Sequence, residues 1–241
     1  MIMSDFVDLH HHLVYGVDDG AQTLEDMQKM ILRAVNEGIT DLVCTSHATP
    51  GYEPFPAEKY MRNLQDGCSY IHEQALDIRL HAGCEVLYTD AAARLLREGK
   101  YPTLAKSDVV LVEFSPDVSF SELTAAATSF GMAGYGVLFA HVERYDALRS
   151  LKNVRRLREE YGVHMQMNTN TILARKGFFT DRWVRRMLEN GYIDCVATDA
   201  HNLSFRPCKM RQCHEVLTEK YGEDMADELC GGFQRRLLGL K

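Results

Sequence analysis

Two histidines separated by one residue, His10 and His12 in DLHHH, close an apolar run near the start of the chain, and the same two-residue step joins Asp199 to His201 in TDAH. Alternate residues of an extended segment share a face, so each pair can present two donors to one point while His11 turns away. His11 therefore reads as a structural or surface residue. Between the pairs, His47, Glu85, Glu113 and His141 each stand at the end of a β-rich run. Imidazole nitrogens and carboxylate oxygens with no thiolate among them suit Mn, Fe or Zn rather than a cysteine-rich structural zinc site.

Taken singly, each of these residues has a bland reading as a polar strand end bonded to backbone. Together they do not. An unsatisfied buried polar group costs at least ~2 kcal/mol, and a cluster of buried acids and imidazoles needs a shared counter-charge, which divalent cations supply. Two cations bridged by one carboxylate can lower the pKa of a shared water to near ~7, giving a hydroxide suited to in-line attack on phosphorus.

Such a cluster requires elements that bring distant residues to one rim. Seven strand-like runs occur at 6–10, 41–46, 79–86, 108–114, 136–142, 163–168 and 194–199. Stretches with helical periodicity separate them, the pattern of βα units and a parallel sheet. Helices are expected over 23–38, with Thr23 as N-cap, and over 57–75, 119–131, 146–160, 181–190, 207–220 and 223–238. Residues 48–56, ATPGYEPFP, form a loop. In parallel α/β barrels the strand C-termini converge on the rim that carries the site, and nearly every strand here delivers a polar residue at that end.

The 241 residues, 46% hydrophobic, suffice for one sizeable core, and no repeat or linker divides them, so a single domain over 1–241 is expected. A net charge of −7 without basic blocks argues against nucleic-acid binding. No leader pattern and no apolar window long enough to span a bilayer is present, so a cytoplasmic protein without membrane insertion is expected. The seven cysteines are odd in number, lack paired spacing and imply no disulfides.

The motifs carry a resemblance. HxH after the first strand, DDG at 18–20, TSH at 45–47, Glu85, His141 and TDAH at 198–201 resemble the polymerase and histidinol phosphatase (PHP) superfamily of distorted seven-stranded (β/α)7 TIM-like barrels. GVDDGAQT, LVEFS, AHVERYDAL and TDAHNLSFRP resemble, more narrowly, its bacterial capsule and exopolysaccharide tyrosine phosphatases, over most of the chain. The resemblance implies a site of about three divalent metals, Mn foremost. His10, His12, Glu85 and Asp199 would hold one, Glu85 would bridge to a second on Glu113 and His141, and Asp19, His47 and His201 would hold a third. Arg144 and Arg206 match arginines that hold phosphate, and Asp18 would shape its turn rather than ligate. The implied substrate is a phosphotyrosine protein, the tail of a bacterial tyrosine autokinase. The loop 48–56 and the C-terminal GGFQRRLLGL depart from the family's usual forms, the first where a substrate would rest.

Rival readings exist. Cys230 and Arg236 have the Cys-x5-Arg spacing of cysteine-dependent tyrosine phosphatases, but an acidic helical segment rather than a strand precedes them. A small-molecule phosphoesterase such as a histidinol phosphatase is a second reading; Glu113 speaks against it, since those enzymes tend to have histidine there. A non-catalytic metal-binding regulatory module is a third.

Overall fold

A computed structural model describes residues 5–174 and 177–240; residues 1–4, on which part of the reading of the N-terminus rests, lie outside it. Seven strands are present: β1 Phe6–His11, β2 Ile39–Ala48, β3 Arg79–Leu87, β4 Val109–Glu113, β5 Gly136–Phe139, β6 His164–Asn168 and β7 Cys195–Ala197. They lie side by side in sequence order, every neighbouring pair parallel. The ring closes between its first and last members, where Asp199 N–H donates to His10 O at 2.8 Å and His12 N–H to Ala200 O at 2.9 Å. The result is the expected α/β, TIM-like, nearly closed barrel.

Helices α1 Leu24–Asn36, α2 Ala57–Glu73, α3 Ala92–Arg97, α4 Phe120–Met132, α5 Leu151–Tyr161, α6 Thr169–Leu173, α7 Phe178–Glu189, α8 Met210–Tyr221, α9 Glu223–Asp227 and α10 Phe233–Leu238 accompany the strands. Thr23 caps α1 in a reciprocal box with Asp26, and Ser119 with Glu122 does the same for α4, satisfying N–H groups the helix leaves open. Met27, Met30, Ile31 and Ala34 form the buried stripe of α1, and full burial of a Met or Ile side chain contributes roughly 2 kcal/mol.

Several expected boundaries move. β5 stops at Phe139, short of residue 142, because His141 takes a left-handed backbone (φ 32°) and opens a 3-10 turn over Val142–Arg144. The expected helix over 146–160 splits into a 3-10 turn, Asp146–Arg149, and α5. That over 223–238 is interrupted by a π turn, Glu228–Gly232, where a Cβ on Gly231 would stand 3.0 Å from Asp5 O. The glycine lets this turn approach the start of β1 closely. α3 and α6 are too short for their periodicity to register in the sequence.

Apolar side chains fill the space between sheet and helices, and a second cluster built on Val7, Leu9, Val43, Leu111, Leu138 and Ala140 joins the strands. Phe233, Leu237 and Leu238 of α10 pack against that second cluster. Arg235 ties the same helix to the strand N-termini, donating to Asp5 O at 2.9 Å and pairing with Asp41 at 3.3 Å. The C-terminal helix thus closes one end of the barrel and leaves the other to the site.

Candidate metal centre

The site begins with an irregularity in β1. Asp8 pairs with Leu42 and His11 with Cys44, so three steps along β1 oppose two along β2. Such a bulge re-aims the side chains that follow it. Asp8 is buried and accepts from Thr198 N–H at 3.0 Å and from the Thr198 hydroxyl, fixing β1 against the segment after β7. Burial pushes its carboxyl up to about 6, against those hydrogen bonds.

Three imidazoles have their outer nitrogen committed. Gln166 Oε1 accepts the His141 N–H at 2.8 Å, so it is an acceptor, and His10 Nδ1, 3.2 Å away, must carry its proton toward it. His12 Nδ1 meets Asp18 Oδ2 at 2.8 Å, and His201 Nδ1 meets the carbonyl oxygen of Asp199 at 3.0 Å. In the neutral rings, each Nε2 is then a bare lone pair. Those lone pairs face one another and carboxylates: His10 Nε2 lies 3.2 Å from His12 Nε2, and the two stand 3.1 and 3.3 Å from Glu85 Oε2. His201 Nε2 is buried without a hydrogen bond, 3.3 Å from Asp19 Oδ1. Set against anionic oxygens, such nitrogens need a proton or a cation between, and with His10, His12 and His141 all crowded on Glu85 the donor set fits divalent metal.

The remaining ligand candidates come from β2, β3, β4 and the turn after β5. Register places His47 beside Glu85 and Glu113 beside Leu87. His47 Nδ1 is 3.2 Å from both Glu85 Oε2 and Glu113 Oε1, and His141 Nε2 is 2.8 Å from Glu85 Oε1 and 3.6 Å from Glu113 Oε2. His141 and Asp199 (φ 50°) both adopt left-handed backbone just beyond their strands, a conformation a non-glycine residue holds only when its surroundings impose it.

All nine expected metal residues therefore gather in one cluster, in overlapping groups whose ligand atoms lie within 4.8 Å of one another: His12, Asp19, His47 and His201; His10, His12 and Glu85; His10, His141 and Asp199; His47, Glu85 and Glu113. Arg144 and Arg206 border it, each reaching Asp199 at 2.6 Å.

A comparison with known proteins follows this geometry. The family model for capsular polysaccharide synthesis proteins CpsB/CapC matches residues 6–238. The chain belongs to the CpsB/CapC family. The tyrosine-protein phosphatase CpsB of Streptococcus pneumoniae is 32% identical over 96% of this chain and 98% of its own length. A solved structure described for YwqE from Bacillus subtilis and CpsB from S. pneumoniae, metal-dependent tyrosine phosphatases, superposes with a TM-score of 0.85 at 22% identity, covering 98% of this chain and 95% of that one. The zinc-containing histidinol phosphate phosphatase of Lactococcus lactis superposes with a TM-score of 0.58 at 14% identity, covering 95% and 98%. These superpositions show the fold alone, a nearly closed seven-stranded α/β barrel.

For this CpsB/CapC member the electrostatics follow from the cluster. Burial opposes charge on His12, but Asp18 and Glu85 outweigh it and push the ring up to about 9; burial is likewise outweighed at His47, raised to about 9 by Glu113, Glu85 and Asp18. His201 falls to about 4 through burial and the neighbouring His12 and Arg206. Asp18 is held near 2 despite burial, by its bonds to His12 and to Gly20 N–H.

Some contributors escaped the sequence reading. Asp18 shapes its turn as expected, but it also orients His12 and accepts the His47 N–H at 3.1 Å. Only glycine fits at position 20 of that turn, where a Cβ would lie 2.1 Å from His12 O. β6 supplies no ligand candidate but holds three: Gln166 supports His10 and His141, and Asn168 donates to Asp199 Oδ2 at 2.7 Å. The signal available was Gln-x-Asn, alternate polar residues inside an otherwise apolar strand. His11 is not at the surface; it is fully buried, with neither ring nitrogen hydrogen-bonded, and burial drives it down to about 3. The Cys-x5-Arg spacing builds no nucleophile, since Cys230 is buried in the π turn and Arg236 pairs with Glu228 at the surface.

Proposed function

We propose that the chain is a single-domain, metal-dependent phosphotyrosine-protein phosphatase over 1–241, acting in the cytoplasm on the tyrosine-phosphorylated tail of an autokinase of capsular or exopolysaccharide synthesis. The observation that carries it is the convergence of the His10 and His12 Nε2 atoms on Glu85 Oε2, an arrangement that a shared cation would satisfy. Kinship with CpsB of S. pneumoniae supports the substrate class, and Glu113, a carboxylate followed by Phe-Ser, favours it over histidinol phosphate.

In this reading His10, His12, Glu85 and Asp199 would hold one metal, Glu85 with Glu113 and His141 a second, and Asp19, His47 and His201 a third. Divalent cations held there, Mn first with Fe or Zn as alternatives, would supply Lewis-acid charge neutralisation and water activation for hydrolysis of the phosphate ester. The protein's own part is orientation. Arg144, with 42% of its side chain exposed, and Arg206, with 35%, offer forked donors to the incoming phosphate while staying anchored on Asp199. Gln166, Asn168 and Asp18 keep the rings and Asp199 from turning away as charge shifts during the reaction.

The test is elemental analysis of protein purified without chelator, paired with initial rates on a phosphotyrosine peptide and on histidinol phosphate. Bound transition metal and chelator-sensitive hydrolysis that favours the peptide are expected. Metal-free protein that still hydrolyses the peptide sinks the metal; preference for histidinol phosphate sinks the substrate.

A further inference from the structure

Beyond the cluster, a cavity of about 460 Å³ opens between Arg144 and Arg206 and continues to Arg149, Asn170 and Thr180. Arg149 closes the 3-10 turn Asp146–Arg149 and is held from two sides. Its Nη2 donates to Glu143 O at 2.8 Å, and its guanidinium carbon lies 4.8 Å from the centre of the Trp183 ring. Trp183 is itself buried and fixed by a bond from Nε1 to Leu148 O at 2.9 Å. Among the described residues no carboxylate pairs with Arg149, and its Nε and Nη1 have no hydrogen-bond partner. A surface arginine with a carboxylate within reach tends to take it. This one is instead a pre-positioned cation with free donors, lining the cavity that holds the two arginines assigned to the reacting phosphate.

The opposite side of the rim has the opposite sign. A cavity beside His47 and Asp19 is bordered by Glu53 of the loop 48–56, and the next one, past β3 and β4, is bordered by Asp90, Asp117 and Glu122. A peptide laid across the rim with its phosphotyrosine at the cluster meets three arginines, Arg144, Arg149 and Arg206, against two carboxylates, Glu143 and Asp199, on the flank toward β5, β6 and β7, and an excess of negative charge toward β2, β3 and β4. Its acidic side is steered to Arg149 and repelled from the other flank.

We propose that Arg149 is a specificity-determining residue that receives a second anionic group of the same phosphopeptide, either the carboxylate of a flanking acidic residue or a second phosphate. The proposal rests on the phosphatase reading above and adds the recognition of sequence around the phosphotyrosine. No bond is made or broken at Arg149; its contribution is a charge-assisted, forked hydrogen bond.

Three peptides of one length, carrying Gln, Glu or a second phosphotyrosine within two residues of the reacting phosphotyrosine, separate the sources. In the metal-loaded wild-type protein kcat/KM is expected to be about three- to tenfold higher for the Glu peptide, the doubly phosphorylated one, or both, than for the Gln peptide, mainly through KM. In Arg149→Gln the ratio should fall to about one, while Arg149→Lys should keep part of it. A general folding defect scales all three rates and leaves the ratios alone. A ratio near one in the wild type, or an unchanged ratio in Arg149→Gln, overturns the proposal while leaving the phosphatase reading intact. Failure to hydrolyse any of the three removes both.

Discussion

Asp18 Oδ2 and His12 Nδ1 meet at 2.8 Å, and the same oxygen accepts the His47 N–H at 3.1 Å, so one carboxylate sets the orientation of two candidate ligands without belonging to any of the candidate ligand groups itself. With the Nδ1 proton held there, His12 presents its Nε2 lone pair to the cluster. Asp18→Asn replaces the acceptor by an amide that can donate to Nδ1 and move the proton to Nε2, where a metal must bind. Metal affinity should fall about 10- to 100-fold, read by titration against a competing chelator, with activity recovering at high metal concentration. Unchanged affinity would mean that Asp18 serves only its turn.

Arg144 and Arg206 converge on Asp199 from separate loops, and both side chains are open enough to meet a phosphate. Arg144→Ala and Arg206→Ala should each lower kcat/KM for a phosphotyrosine peptide by about 100-fold, corresponding to about 3 kcal/mol of lost charge-assisted hydrogen bonding. Metal content should not fall, because each change leaves Asp199 more available to a cation. Wild-type kinetics in both variants would remove the arginines from the phosphate site.

Cys230 is buried, and its thiol is pushed up by its hydrogen bond with Cys213 and by burial, the reverse of what a nucleophilic thiolate needs. Cys230→Ala should keep wild-type activity and cost about 1 kcal/mol of stability in thermal unfolding. Loss of turnover with unaltered melting would reinstate the cysteine mechanism.

At the closed end of the barrel, buried Asp41 accepts from Arg79 Nε at 2.8 Å, His81 at 2.9 Å and Arg235 at 3.3 Å. Burial opposes its charge, yet His81 and Arg79 hold the carboxyl below the usual aspartate range. A depressed native value means that its stabilisation is fully present above the unfolded value of about 4 and is lost as pH falls below it. Asp41→Asn should destabilise the protein by about 2 kcal/mol near neutrality and flatten the acid limb of a stability–pH curve. A parallel acid limb in the variant would contradict the assignment.

The residues of the candidate cluster were readable because histidines and acids are rare at the ends of apolar strands, and because the steps His10 to His12 and Asp199 to His201 follow strand alternation. The barrel order was readable from alternation of strand and helix. The supporting groups were harder to see. Gln166 and His10 are separated by 156 positions, and a neutral amide in a strand resembles any solvent-facing residue until closure brings β6 beside β1. Alternation turned His11 away from its neighbours, but whether that side met water or protein depended on the pairing with β2 and the bridge to Ala200. The early end of β5 came from a local left-handed backbone at His141 that no propensity signals.

The seam between β1 and the segment after β7 joins residues far apart in the chain, with Asp8 gripping Thr198, 190 positions on, and His10 gripping Asp199. Synthesis must therefore pass residue 201 before His10, His12 and His201 can come together, so a product truncated ahead of Thr198 carries no complete cluster. The cluster is complete only once the barrel closes, a pairing of high sequence separation that is slow to form.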